Sequence, residues 1–278
     1  MSETTTTAET EPSGPLHHTP WYRKRGVVVP MLLAAVAAFA LVQKGTQRYR
    51  FRTDVAPDGG TNWDWEYAWS LLPDLLNALS VTAMATVIGF AVAAVLGLVL
   101  ALGRRSRLAV VRWPVALFIE FVRSTPLLVQ LYFLYFALPE FDIVVSPNQA
   151  LIFGLGVHYA TYCSEGYRAG INSVPVGQWE ASTALNLGSR TKWSRVILPQ
   201  AVPNVLPALG NYLVAGFKDA PLGFAIQVTG LMGFATSVAG DFRPVEAYLM
   251  IGAGFLAVSL PAAWLVRRLE RRISYERV

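Results

Sequence analysis

Val176–Gln200, VGQWEASTALNLGSRTKWSRVILPQ, is a polar stretch set between two strongly apolar ones. Glu180 stands near its start, and Arg190, Lys192 and Arg195 stand towards its end. That order suits a helix macrodipole, which favours acids at the N-terminus and bases at the C-terminus. A polar helix between apolar segments has little reason to exist unless something docks on it. The reading of the whole chain follows from what surrounds it.

Hydrophobic residues make up 54% of the 278-residue chain and charged residues 15%, where a soluble domain carries about 25% charge. The apolar residues fall in runs near the length of about 20 needed to cross a bilayer. The composition therefore describes a polytopic membrane protein. Its net charge of +5 lies beside apolar runs rather than along a phosphate-tracking surface, which argues against nucleic acid as a partner. Cys163 is the only cysteine, so an intrachain disulfide is excluded; it reads as a small membrane-segment residue.

Moving towards the N-terminus, the apolar run of about Ala150–Ser173 carries Glu165 and Arg168, and also His158, which reads as a packing histidine. Before it, Val115–Leu138 contains FIEFVRSTPLLVQ, in which Glu120 and Arg123 are spaced to pair on one helix face. Pro126 removes a backbone hydrogen bond and predicts a kink there. Leu76–Leu102 repeats Gly89, Ala93, Gly97 and Ala101 at four-residue intervals, a face without bulky side chains that predicts a close helix–helix contact. Arg104, Arg105, Arg107 and Arg112 mark a short loop after it. Trp63, Trp65, Tyr67 and Trp69 precede it and read as an interfacial belt rather than a ligand cage. Val27–Val42 covers about 24 Å and reads as an uncleaved first span, with signal-peptidase cleavage after Ala38-Phe39-Ala40 as the alternative. Residues 1–20 read as a disordered cytoplasmic tail, with His17 and His18 solvated.

Towards the C-terminus, Leu209–Met232 carries Lys218, Asp219 and Pro221, and Ala247–Val266 ends in Arg267, Arg268, Arg271 and Arg272. Four units follow: a tail of 1–20, an N-terminal span and outside loop of 21–74, a transmembrane domain of 75–272 and a cytoplasmic tail of 273–278. Counting Lys and Arg, the segments assigned to the cytoplasm outweigh the others by roughly three to one. Six spans then put both termini and Val176–Gln200 in the cytoplasm.

An unpaired charge at a helix centre costs about 2.5–3.5 kcal/mol on insertion scales, so such residues pair or face water. Glu120 with Arg123 and Glu165 with Arg168 read as pairs that neutralise each other near the membrane boundary. Lys218 with Asp219, beside Pro221, is the better pathway candidate, because a broken helix tolerates polar backbone where it lines a cavity.

Glu180, Ala181 and Ser182 at one end, and Val196, Ile197, Leu198 and Pro199 at the other, resemble the cytoplasmic signature of permease subunits of binding-protein-dependent ABC importers. Asn186 stands where that pattern has glycine, and Gly188 comes two residues later; Asn tolerates the left-handed backbone better than most residues. Glu120–Pro126, Gln130, Tyr167–Ile171, Val174-Pro175 and Gly177–Glu180 look like polar-amino-acid permeases. HYATYCSEGYRAGI, ALNLG, LGNYLVAGFKDAPL and DFRPVE look most like permeases for ectoine and hydroxyectoine, although Gly166 and Ala220 depart from that pattern.

The resemblance, over residues 75–272, implies an all-α type I ABC importer transmembrane domain of five core spans plus one N-terminal span. It implies a bacterial cell-membrane protein that works with an ATPase dimer, a second permease subunit (the same chain or a homologue) and an extracytoplasmic solute-binding protein. Glu180, Ala181, Ser182, Asn186, Gly188, Ile197, Leu198 and Pro199 would form the ATPase-docking set. ATP and Mg would bind the partner, since this chain has no phosphate-binding loop and no metal-ligand cluster. A proton-coupled secondary transporter using the charged pairs is the alternative, and an intramembrane enzyme centred on His158 and Glu165 is the third.

Overall fold

The computed structural model describes residues 65–239 and 244–275, and among them every regular element is helical. A short helix α1 (Trp65–Ser70) leads into α2 (Leu72–Arg104), whose 33 residues span about 50 Å. Helix α3 (Ala109–Ser124) is followed by α4 (Leu127–Tyr132), which continues through π and 3-10 turns to Phe141. Next comes α5 (Pro147–Asn172), opened by a capping box in which Ser146 and Gln149 bond each other's backbone. Then follow α6 (Val176–Ala184), α7 (Ser189–Thr191) and a π turn over Lys192–Ile197. Helix α8 (Leu198–Asp219) runs into a 3-10 segment, Ala220–Ile226, before α9 (Leu231–Ala239) and α10 (Pro244–Tyr275).

α5 is the hub. More than half of its 26 residues are buried, from Ala150 to Ile171. The small-residue stripe of α2 is the surface on which it lies. A Cβ added to Gly97 would stand 2.6 Å from the Cys163 Cβ and 2.8 Å from the Ala160 carbonyl oxygen, and one on Gly89 would stand 3.1 Å from the Leu155 Cβ. Ala93 and Ala101 are buried in the same seam. The Tyr167 hydroxyl closes it by donating to the Ala94 carbonyl at 3.1 Å. The opposite side of α2 presents Val87, Val95 and Val99, all exposed, a surface suited to lipid.

Two of the expected spans are not single helices. Val115–Leu138 was expected to kink at Pro126; instead α3 ends at Ser124 and the chain turns by 103° into α4. The residue before a proline is driven into extended backbone, and Thr125 sits at φ −105°, ψ 130°. Gln130 makes the turn tolerable: its Nε2 donates to the Val122 and Thr125 carbonyls at 2.8 and 2.9 Å. Leu209–Met232 is likewise divided. Its helix starts earlier, at Leu198, and ends at Asp219, where Pro221 cannot supply a helical N–H. Gln227, at φ 66°, then redirects the chain into α9 with a 50° bend.

Among the described residues, Leu72–Arg104 and Tyr248–Arg268 are by themselves long and apolar enough to cross a membrane, and the two bent pairs qualify only as pairs. α5, expected as the fourth span, lacks that apolar character. A helix wrapped by other helices can carry Gly, Ser, His and Tyr instead of lipid-facing side chains.

Tail residues 1–20, Val27–Val42, Ala38–Ala40, Trp63 and Arg243 lie outside the described residues. Trp69 is exposed at the approach to α2. The fold makes a direct stability test available. Gly97→Leu has no room against α5 and should cost more than the about 1–3 kcal/mol of ordinary overpacking. Thermal unfolding in detergent should show a lower midpoint for it and an unchanged one for Gly188→Ala, whose Cβ would meet nothing within 4 Å.

Candidate functional site

α6 is a nine-residue helix whose ends are both set by sequence. Pro175 occupies its N-cap at φ −53°, ψ 140°, where a missing N–H costs nothing, and its carbonyl accepts from Gln178 N at 2.9 Å. At the other end Asn186 adopts φ 50°. Leu187 N donates to the Ser182 carbonyl at 3.0 Å and Asn186 N to that of Thr183 at 2.9 Å. These are the two bonds of a Schellman cap, so Asn186 performs the backbone role of the glycine it replaces. Gly188 does not take over that role: at φ −58° it caps α7 and needs no left-handed freedom.

The inner side of α6 rests on an apolar floor. Ile171, Val174, Ile197 and Ala201 are buried there, with Trp179, Trp193 and Val196 packed against them. Trp179 and Trp193 meet edge to face at 5.5 Å. Ser182 is 2% exposed and its Oγ donates to the Gln178 carbonyl at 2.6 Å. Lys192 Nζ reaches the Thr183 hydroxyl at 3.0 Å, closing the stretch back on α6. The outer side is open. Glu180, Ala181, Asn186 and Gly188 are exposed, with Val176 and Leu185 at 71% and 72%. Trp179, Glu180, Thr183 and Ala184 border a shallow groove.

The expected docking set therefore divides. Glu180, Ala181, Asn186, Gly188, Leu198 and Pro199 face outward, whereas Ser182 and Ile197 point into the bundle and hold α6 in place. Their small or apolar character serves packing within the chain. Trp179 and Trp193 were missed as members of the module; two tryptophans in an otherwise polar stretch were the available signal.

Of the three expected charge pairs, one forms. Arg168 Nη2 donates to Glu165 Oε2 at 2.6 Å, and Arg104 Nη1, from the end of α2, donates to Glu165 Oε1 at 2.6 Å. Arg104 read only as a loop charge, because its partner lies 61 residues away. Among the described residues no ion pair joins Glu120 to Arg123 or Lys218 to Asp219. Arg123 places its guanidinium over the Tyr162 ring at 5.1 Å, while Glu120 stays exposed. Lys218 and Asp219, being consecutive, project about 100° apart on the helix. Asp219 turns inward to accept from the Tyr159 hydroxyl at 2.6 Å, and Lys218 turns outward. Tyr159, Tyr162 and Tyr212 form a row of rings with centroids 5.8 and 5.9 Å apart. Gly166 lets Tyr212 approach, since a Cβ there would stand 3.3 Å from that ring.

The chain belongs to the family of binding-protein-dependent transport system inner membrane components, whose model matches residues 93–275. It is 42% identical over 208 residues to the probable amino-acid ABC transporter permease protein y4tG of Sinorhizobium fredii, covering 74% of this chain and 90% of that one. It is 32% identical over 214 residues to the glutamine transport system permease protein GlnP of Escherichia coli K12, covering 76% and 98%. A crystal structure of an amino acid ABC transporter with histidines superposes with a TM-score of 0.73 at 30% identity, covering 76% of this chain and 99% of that one. An inward-facing methionine transporter, MetNI, shares the fold with a TM-score of 0.60 at 19% identity, covering 76% and 99%. The chain is thus the membrane-embedded permease subunit of an ABC importer, a transport component and not an enzyme. Its family implies an ATPase partner and a solute-binding protein.

The cap of α6 gives the site its own test. Asn186→Val forces a β-branched residue into left-handed backbone and should lose about 1–2 kcal/mol locally, read as faster proteolysis between Leu185 and Ser189. Asn186→Gly should leave that rate equal or slower.

Proposed function

We propose that α6 is the helix by which this permease receives the motion of its ATPase, and that the solute it carries is a polar amino acid or the related zwitterions ectoine and hydroxyectoine. The observation that carries the docking reading is the division of α6 itself. Its inner side is fixed by the Trp179–Trp193 contact and by buried Ser182. Its outer side leaves Val176, Glu180 and Leu185 without cover. A capped helix with an exposed acid one turn from an exposed valine suits a compact, specific contact able to transmit displacement. Positive-inside counting puts this end, and both termini, in the cytoplasm. The permease pairs with a second copy or a homologue over two ATPase subunits that hold ATP and Mg.

The solute reading rests on the interior. Tyr162 and Tyr212, both half-buried, offer ring faces to a cation, and Asp219, bonded by the Tyr159 hydroxyl, offers a carboxylate beside them. Arg123, with no carboxylate partner among the described residues, offers a guanidinium for an acid group. A zwitterion with a delocalised cation matches that set. HYATYCSEGYRAGI and LGNYLVAGFKDAPL supply all of it except Arg123, which supports the ectoine end of the range.

Reconstitution with the ATPase and binding protein tests both parts. Glu180→Lys should lower ATPase co-purification by at least about tenfold, the size of a lost charged contact at an interface centre. Equal recovery from the two proteins would contradict the docking reading. Unlabelled ectoine should compete with labelled substrate for uptake more strongly than glutamine does. Uptake that persists without the ATPase would point to a secondary transporter.

A further inference from the structure

The end of α2 touches the α6 module and the body of α5 through two consecutive side chains. Arg104 reaches inward to Glu165, which it shares with Arg168. Arg105 reaches the other way. Its Nη1 donates to Asn172 Oδ1 at 3.2 Å, at the last residue of α5, and its guanidinium lies 5.7 Å from the centre of the Trp193 ring. Trp193 is in turn the edge-to-face partner of Trp179 in α6. One continuous line of contact therefore runs from the exposed helix, through two indoles, to a helix end, and from there to a half-buried carboxylate.

We propose that Arg104 and Arg105 are positioning residues for energy coupling, a two-armed latch that ties movement of α6 to movement of α2 against α5. Arg105 is the arm that senses α6. A shift of Trp179 displaces Trp193, and the guanidinium stacked on it must follow or detach. Arg104 is the arm that resists. It sits on the neighbouring residue of the same helix end, so any rotation transmitted by Arg105 pulls on the Glu165 bridge.

The charge arithmetic makes that bridge sensitive. One carboxylate accepts from two guanidiniums, and the cluster keeps one net positive charge in a half-buried position. Releasing Arg104 leaves Glu165 still balanced by Arg168. The bridge can therefore open without stranding a buried acid, which suits a contact that breaks in every cycle. Arg168, three residues from Glu165 on the same helix, stays paired whatever α2 does. At the same corner Asn204 Nδ2 donates to Ser173 Oγ at 2.5 Å, linking α8 to the α5–α6 junction.

This inference rests on the docking role of α6, but the two fail differently. Docking is judged by whether the ATPase binds; the latch is judged by the work obtained once it has bound. The measurement is ATP hydrolysed per substrate imported by the full complex in proteoliposomes. Arg105→Ala should raise that ratio by about threefold, the factor to which a partly exposed cation–π contact corresponds, with the ATPase still bound. Arg104→Glu and Glu165→Arg should each uncouple more severely. The two together should recover most of the native ratio, since the exchange leaves one carboxylate, now on α2, between two guanidiniums on α5. A merely structural role would lower the yield or thermal midpoint of the folded complex and leave the ratio per assembled complex unchanged. An unchanged ratio in Arg105→Ala, or a double variant no better than its single parents, would overturn the proposal.

Discussion

The approach of α5 to α2 is the constraint on which the rest of this structure depends. In a bilayer, helices gain little from hiding apolar surface, because lipid is as apolar as leucine; association rests on close packing and on polar contacts between helices. Gly89, Ala93, Gly97 and Ala101 let the backbones come near enough for that packing to count. Once α5 is enclosed, its own residues are released from the need to face lipid. That release is why His158, Tyr159, Ser164 and Glu165 can occupy a membrane helix, and why the polar interior exists.

Broken helices shape the same interior from the other side. Pro126 ends α3 and Gln130 satisfies the carbonyls left behind. Asp219 ends α8 and is held there by Tyr159. Both breaks place a charged residue beside the interrupted helix, Arg123 in one and Asp219 in the other. The arrangement resembles other membrane carriers in which unwound backbone is tolerated where it is buried or lines a cavity. At the opposite end, a capped helix nine residues long stands on a tryptophan pair and meets the bundle through α2 and α8.

Much of this was legible in the chain. The small-residue stripe predicted a close helix–helix contact by spacing alone, and the left-handed site at Asn186 was readable from the side chain that tolerates it. Local patterns do not report long-range partners, however. Glu120 and Arg123 are correctly spaced to pair, yet the aromatic face of Tyr162, on a different helix, takes the arginine. Arg104 looked like a topology charge because nothing near it in sequence is acidic. Prolines within spans were legible as breaks but not as angles: the 103° turn depends on Gln130 folding back, a contact no propensity predicts. Burial likewise separated Ser182 and Ile197 from the outward residues of the docking stretch.

The central claim, that the outer side of α6 is where the ATPase sits, is tested most directly by proximity in the assembled importer. A photo-crosslinking residue placed at Ala184, on the rim of the α6 groove, should capture the ATPase subunit. The same group at Val110, 86% exposed on α3, should not. No ATPase adduct from position 184 in an active complex, or equal capture from both positions, would contradict the account.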